Sequence, residues 1–266
     1  MPELLFSQEY GEEHLVSSPA QASVVLIHGL FGNSDNLSVI RRHFETTHHV
    51  LSLDLPDHGK SPRSERFSFD IWAQQVIDTI VSHKIKSAFV IAHSLGGKVA
   101  MRAASLSPEL ILKLVVMDIA PVKYEARHNN VIDGLSNVKL DSISSRKDAM
   151  AQLAEFVEDP GTRSFLLKSL YQDVDKTWHW RFNLPLIVRD YPLLSDWPYE
   201  GQLYAGDVTF IKGKNSNYIT SAHQSSIMTQ FPNAKAKIVE AGHWLHAEKP
   251  QLINTLLTRI LRGTDK

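Results

Sequence analysis

The stretch VIAHSLGGKVA, residues 90–100, constrains the fold more than any other part of the chain. Its apolar first half is patterned as a buried strand. Ser94 follows directly, then small residues, then a helix-like run. So sharp a strand-to-helix turn is expected to hold the serine at positive φ, a strained position for a residue with a Cβ. Small neighbours are needed for strand and helix to approach that closely. Here they are Ala92 and Gly96, with Gly97 beyond. An alanine at the first position departs from the usual glycine but keeps the required smallness. Alone, the stretch could also be an ordinary turn that contains a serine.

The surrounding rhythm supports the sharper reading. SVVLIHG, HVLSLDL, SAFVIAHS and KLVVMDIAP are short apolar runs, separated by helix-like segments. In FDIWAQQVIDTIVSHK, Ile71, Trp72, Val76, Ile80 and Val81 recur at helical spacing, with Ser68 or Asp70 as the cap. Such alternation predicts a mostly parallel sheet covered on both faces, with right-handed crossovers. From residue 122 to residue 197 the rhythm breaks. SRKDAMAQLAEFVED and SFLLKSLYQ are patterned as helices, and WHWRFN alternates apolar with polar residues. The strand rhythm returns at VTFIKG and AKAKIVEAG, before a last helix, KPQLINTLLTRILRG. The expected division is a core of residues 1–121 and 198–266 interrupted by a helical cap, residues 122–197.

Composition narrows the classes of function. With 266 residues, 43% hydrophobic and 21% charged, the chain is an ordinary globular one, and its net charge of −1 provides no field to recruit nucleic acid or an anionic membrane. It has no cysteine, which excludes disulfides, a cysteine nucleophile and thiolate metal sites. No apolar run approaches the roughly 20 residues of a membrane span, and MPELLFSQEYGEEHL has no apolar signal region. A cytoplasmic protein is expected. Its oligomeric state is left open.

The chemistry centres on Ser94, whose context is that of a nucleophile elbow. LIHGLFG, residues 26–32, ends the first strong strand in a glycine turn that can face the elbow. An acyl transfer intermediate needs two N–H donors on its oxyanion, and Leu30 and Leu95 are the candidates, with Phe31 as another source of the second. His28 comes early in the chain and is expected to brace that turn. The base is expected to be His243 in AGHWLH, on the loop after the last strand, with an imidazole suited to take and return the serine proton. His243 and His246 also have H-x-x-H spacing. They lack the glutamate of H-E-x-x-H, so no metal site and no cofactor is expected, and His246 is read as structural. GGKV at 96–99 is not a phosphate loop, and His48 and His49 are expected on the surface or in packing.

HGLFG, LDLPDHGKSP, AHSLGGKVAM and AGHWLHAEKP together resemble the α/β-hydrolase superfamily. MDIAPV, FLLKSL, WRFNLPLI and GKNSNY resemble, more narrowly, the bacterial YbfF-type esterases. The likeness runs from about Val24 to Pro250. It implies an α/β-hydrolase fold with an eight-stranded core and a helical cap. It also implies hydrolysis of acyl esters by an activated serine, with acyl-CoA thioesters among the substrate types.

Two places compete for the acid. The loop after VTFIK, where such a fold most often carries it, has Ser216 and no acidic residue before Glu240; Asp207 precedes that strand, at the wrong end of the sheet. Asp118 ends the strand after the elbow helix, about 4.8 Å over, and keeps the order Ser, Asp, His. It could instead cap the turn before Pro121. The resemblance favours Asp118, since the YbfF-like esterases carry an acid at the matching position and a serine matching Ser216, which is left as support for His243 or Asp118. The expected function is a serine hydrolase acting on a small-molecule acyl ester or thioester. A carbon–carbon bond hydrolase, a perhydrolase and a ligand-binding non-enzyme on the same scaffold are the alternatives.

Overall fold

The structure, a computed structural model, describes residues 3–17 and 22–264. Its strands are β1 (Ser7–Tyr10), β2 (Ser23–Ile27), β3 (Val50–Leu53), β4 (Ala88–His93), β5 (Ile111–Met117), β6 (Leu170–Gln172), β7 (Trp178–Trp180), β8 (Asp207–Gly213) and β9 (Lys235–Val239). The helices are α1 (Glu13–Ser17), α2 (Ser38–Phe44), α3 (Phe69–Ser82), α4 (Leu95–Leu106), α5 (Asn129–Asn137), α6 (Arg146–Leu153), α7 (Pro160–Leu167), α8 (Leu184–Ser195), α9 (Gln224–Gln230), α10 (Leu245–Glu248) and α11 (Pro250–Arg262).

The main sheet has the order β1-β3-β2-β4-β5-β8-β9. Every neighbouring pair is parallel except β1 with β3. The expected mostly parallel sheet is therefore present, with seven strands among the described residues instead of eight. The N-terminal segment adds one antiparallel edge strand, and the chain between it and β2 includes the short helix α1.

Alternation along the strands divides the core in two. Val24, Leu26, Val50, Ile91 and Val115 pack with Ile40, Phe44, Ile253 and Leu257 of α2 and α11. Val25, Ile27, Leu51, Val90 and Val116 pack with Trp72, Val76, Val99 and Ala103 of α3 and α4. Because both faces are covered, the central strands β2 to β5 are mostly apolar. Ser68 caps α3 through its side chain, as one of the two candidates. The stripe α3 buries is Trp72, Ala73, Val76, Ile77 and Ile80, while Ile71 and Val81 are exposed, against expectation. The edge strand β9 is mostly exposed and carries Lys235 and Lys237, side chains that discourage pairing with another chain.

Between β5 and β8 lie α5 to α8 and a two-stranded hairpin, β6 with β7. The alternation in WHWRFN belongs to that hairpin, which buries Trp178 and Trp180 on one side. SFLLKSLYQ is not one helix. Helix α7 stops at Leu167, and Leu170–Gln172 pairs with Trp178–Trp180. The backbone there is claimed by tertiary contacts: Arg146 donates to Leu170 O at 2.9 Å, and Ser169 Oγ donates to Phe31 O at 2.8 Å. The segment is also tied down by Lys98, whose Nζ donates to Ser195 O at 3.0 Å and Asp196 O at 2.8 Å.

The parallel arrangement brings the ends of β2, β4, β5, β8 and β9 to one edge, where open α/β sheets build their sites. Gly96 allows a close approach there, since a Cβ on it would lie 2.2 Å from His28 O. Gly96→Ala is expected to lower the urea unfolding midpoint, through a loss of ~1–3 kcal/mol in unfolding free energy as for other overpacked interiors. An unchanged midpoint would show that the turn relaxes without cost.

Candidate active site

Ser94 sits between β4 and α4 with φ 53° and ψ −126°, the strained backbone the sequence predicts. Its N–H donates to Met117 O at 3.0 Å, which ties the turn to β5. One residue past Met117, Asp118 ends β5 with φ 55°. Its N–H donates to Ile211 O at 2.9 Å, so the ends of β5 and β8 are held side by side.

His243 joins the two. Its Nε2 is 3.0 Å from Ser94 Oγ and its Nδ1 is 2.8 Å from Asp118 Oδ2. Asp118 has no exposed surface. Among the described residues its carboxylate receives three hydrogen bonds: Gly213 N–H on Oδ1 at 2.9 Å, and the Ser216 hydroxyl and His243 Nδ1–H on Oδ2. Ser216 is therefore hydrogen-bonded to Asp118. Gly213 is needed at the end of β8, because a Cβ there would lie 2.2 Å from Gly242 O, on the loop that delivers His243.

The turn after β2 is braced by two buried histidines. His28 donates through Nδ1 to Gly29 O at 2.8 Å and accepts Leu55 N–H on Nε2 at 2.9 Å, the bracing role expected of it. His58 donates through Nδ1 to Pro56 O at 2.9 Å and accepts Phe31 N–H on Nε2 at 3.1 Å. That bond spends the Phe31 N–H, so Phe31 is removed as an oxyanion donor. Neither the Leu30 nor the Leu95 N–H has an acceptor among the described residues. Leu95 is the first residue of α4, where the N–H lacks an intrahelical partner and the helix dipole favours negative charge.

Three neighbours of His243 were not singled out by the sequence. Tyr218 stacks on the His243 ring, with centroids 4.0 Å apart and planes 21° from parallel. His93 donates through Nε2 to His243 O at 2.9 Å. His128, just before α5, reaches Tyr218 Oη with Nε2 at 3.1 Å. Tyr218 lies inside GKNSNY, so the aromatic next to Ser216 was the available signal; His128 is distant in sequence and gave none. His246 packs its ring against His93 at 4.7 Å, and no cluster of three or more metal-ligating side chains occurs among the described residues. His49 lies elsewhere, bonded to Ser23 and Glu9.

Residues 22–250 match the family described as the α/β hydrolase fold. The chain belongs to the α/β-hydrolase family. It is 36% identical over 242 residues to Esterase YbfF of Escherichia coli, covering 90% of this chain and 92% of that one. It is 32% identical over 248 residues to the sn-1-specific diacylglycerol lipase ABHD11 of Mus musculus, covering 90% and 80%. Among solved structures, a marine microorganism esterase matches with TM-score 0.90 and 28% identity over 97% of this chain and 99% of that one. This α/β-hydrolase is a carboxylic ester hydrolase similar to YbfF. No helix among its described residues is long and apolar enough to cross a membrane.

Two cavities of the hydrolase meet at Ser94, sharing Leu30 and His128 in their walls. The smaller has about 410 Å³ of empty volume and is walled by Leu95, Ile119 and Leu194. The larger has about 1040 Å³ and is bordered by His243 and by the Phe165–Trp244 ring pair.

Burial dominates the electrostatics around the site. It lowers His58 to about 3, with His28 adding to the effect, and lowers His128 and His246 to about 4, with His243 adding to both. The unfolded chain, with ordinary histidines near ~6.5, therefore binds more protons than the native one below that pH. Stability is full above pH ~6.5 and is lost as pH falls toward 4. The urea midpoint at pH 5.5 should lie below that at pH 7.5, reflecting a loss of roughly 1 kcal/mol in unfolding free energy for each of the three histidines. A midpoint that stays flat over this range would contradict the neutral burial of these rings.

Proposed function

We propose that the chain is a serine esterase that works without a cofactor through an acyl-enzyme, with Ser94 as nucleophile, His243 as base and Asp118 as acid. The observation that carries this reading is the unbroken chain from Ser94 Oγ through both ring nitrogens of His243 to Asp118, at 3.0 and 2.8 Å. His243 Nε2 takes the Ser94 proton as Oγ bonds to the acyl carbon. The N–H groups of Leu30 and Leu95 hold the oxyanion, each worth roughly 10²–10³ in rate. Collapse breaks the bond to the leaving oxygen or sulfur, which receives the proton from Nε2. Water then repeats the sequence on the acyl-enzyme. Asp118 holds the imidazole in the tautomer with Nδ1–H and balances the imidazolium. Ser216 orients Asp118 and carries no charge.

Residues 122–197 are read as the cap that walls the pocket. The leaving group must reach His243 Nε2, and His243 borders the larger cavity. The acyl group is therefore assigned to the smaller one. Acyl-CoA thioesters fit the same scheme, with the thiol leaving through the larger cavity. A cytosolic location accords with a chain free of cysteine.

Turnover of p-nitrophenyl butyrate at pH 7 tests the roles. Ser94→Ala should abolish it. Asp118→Asn should lower kcat by roughly 10³–10⁴, and Ser216→Ala by no more than about tenfold, in line with one lost hydrogen bond. Near-normal turnover by Asp118→Asn would sink the assignment of the acid. In an acyl-length series, kcat/KM should fall at least about tenfold from butyrate to palmitate, since a chain longer than the small cavity must overpack its walls at a cost of ~1–3 kcal/mol. A preference for palmitate would reverse the assignment of the two cavities.

A further inference from the structure

A count of protons around His128 points to a substrate-binding role for Tyr218. Tyr191 Oη lies 3.2 Å from Arg127 N and 3.0 Å from His128 N. Those two N–H groups occupy both lone pairs of the phenol oxygen. Its own proton must then go to the third neighbour, His128 Nδ1, at 2.7 Å. The opposite arrangement would crowd three donors on one oxygen and leave the Tyr191 proton without an acceptor. His128 is held neutral by burial, so with Nδ1 accepting, Nε2 carries the hydrogen. It donates to Tyr218 Oη at 3.1 Å. The Tyr218 hydroxyl is thus an acceptor on its His128 side, and its own hydrogen has no acceptor among the described residues.

That hydroxyl belongs to a side chain lining the smaller cavity beside Ser94. Lys98 lines the same cavity, but its amine is already engaged: it donates to Ser195 O and Asp196 O, lies 4.9 Å from the centre of the Tyr124 ring, and is lowered to about 7 by burial. Apolar walls broken by an unspent, half-buried hydroxyl donor on Tyr218 are a poor match for a plain alkyl chain. Glu125 and Arg127 also border the cavity, from exposed positions.

We propose that the Tyr218 hydroxyl, oriented by the Tyr191–His128 relay, is a specificity-determining hydrogen-bond donor that selects acyl groups carrying an oxygen acceptor, such as an alkoxy or keto oxygen. The inference rests on the esterase reading above for the identity of the acyl cavity. Its donor assignment rests on the hydrogen-bond count. Tyr218→Phe removes the oxygen and keeps the ring that stacks on His243.

The test compares p-nitrophenyl methoxyacetate with p-nitrophenyl butyrate, whose acyl groups differ by an ether oxygen in place of a methylene. The intrinsic reactivity of each ester cancels between wild type and variant. Tyr218→Phe should lower kcat/KM for the methoxyacetate by roughly three- to tenfold more than for the butyrate, chiefly through KM, as for one neutral hydrogen bond. An unchanged ratio overturns the proposal, whether both activities fall together or neither falls. Equilibrium binding of the same two esters to Ser94→Ala, with and without Tyr218→Phe, gives a readout that does not depend on turnover. There the phenylalanine variant should lose affinity for the methoxyacetate alone. Equal losses for the two esters overturn the proposal. Wild-type protein that leaves both esters intact refutes the esterase reading instead, and the binding arm still decides the donor.

Discussion

A carboxylate with no exposed surface is the constraint around which the site is organised. Burying Asp118 is costly unless its charge is met by donors. Those donors come from three separate places: the end of β8, the loop after it and the loop after β9. Gly213 and Ser216 are therefore held to the end of β5, and His243 is drawn over the same oxygen that Ser216 contacts. The alignment of His243 with Ser94 follows from satisfying Asp118 as much as from any contact of the serine itself.

The second constraint is close backbone approach. Ser94 and Asp118 both have positive φ, at the ends of adjacent parallel strands, where each turn leaves the sheet abruptly. Such conformations persist when surrounding bonds over-determine them. Here Ser94 N–H is fixed on β5 and Asp118 N–H on β8. The bracing histidines His28 and His58 act likewise on the facing turn, each with one ring nitrogen donating to a carbonyl and the other accepting a backbone N–H. Their low basicity keeps them in that neutral, two-way role. Tyr218 adds a flat surface against His243 and, through His128, links that ring to the segment inserted between β5 and β8.

Much of this architecture was legible because burial on both faces leaves a strong sequence trace. The apolar runs ending at Ile27, Leu53, His93 and Met117 are strands, and the small residues Ala92 and Gly96 flank a serine whose backbone needs them. Other elements left weaker traces. Leu170–Gln172 carries a helical pattern, yet it pairs with Trp178–Trp180 because the partner strand and Arg146 claim its backbone. Ile71 and Val81 share the apolar character of the α3 stripe and lie outside it, since a stripe has no marked edge until the helix is rotated against its neighbours. The number of strands depended on how the N-terminal segment packs, and that segment supplies one antiparallel strand among the described residues.

The sequence by itself determined the α/β class, the position of the sharp serine turn and the short set of side chains able to do acyl chemistry, because those features depend on local periodicity and residue size. It also excluded an acid in GKNSNY by simple absence and pointed to Asp118 one strand away. The tertiary structure decided which groups meet. It put Ser216 on the Asp118 carboxylate, spent the Phe31 N–H on His58, and stacked Tyr218 on His243 under the hold of His128. Those outcomes turn on distances of a few ångströms between residues far apart in the chain. No local pattern encodes them, because each is a competition for one proton or one lone pair that is settled only when the elements pack.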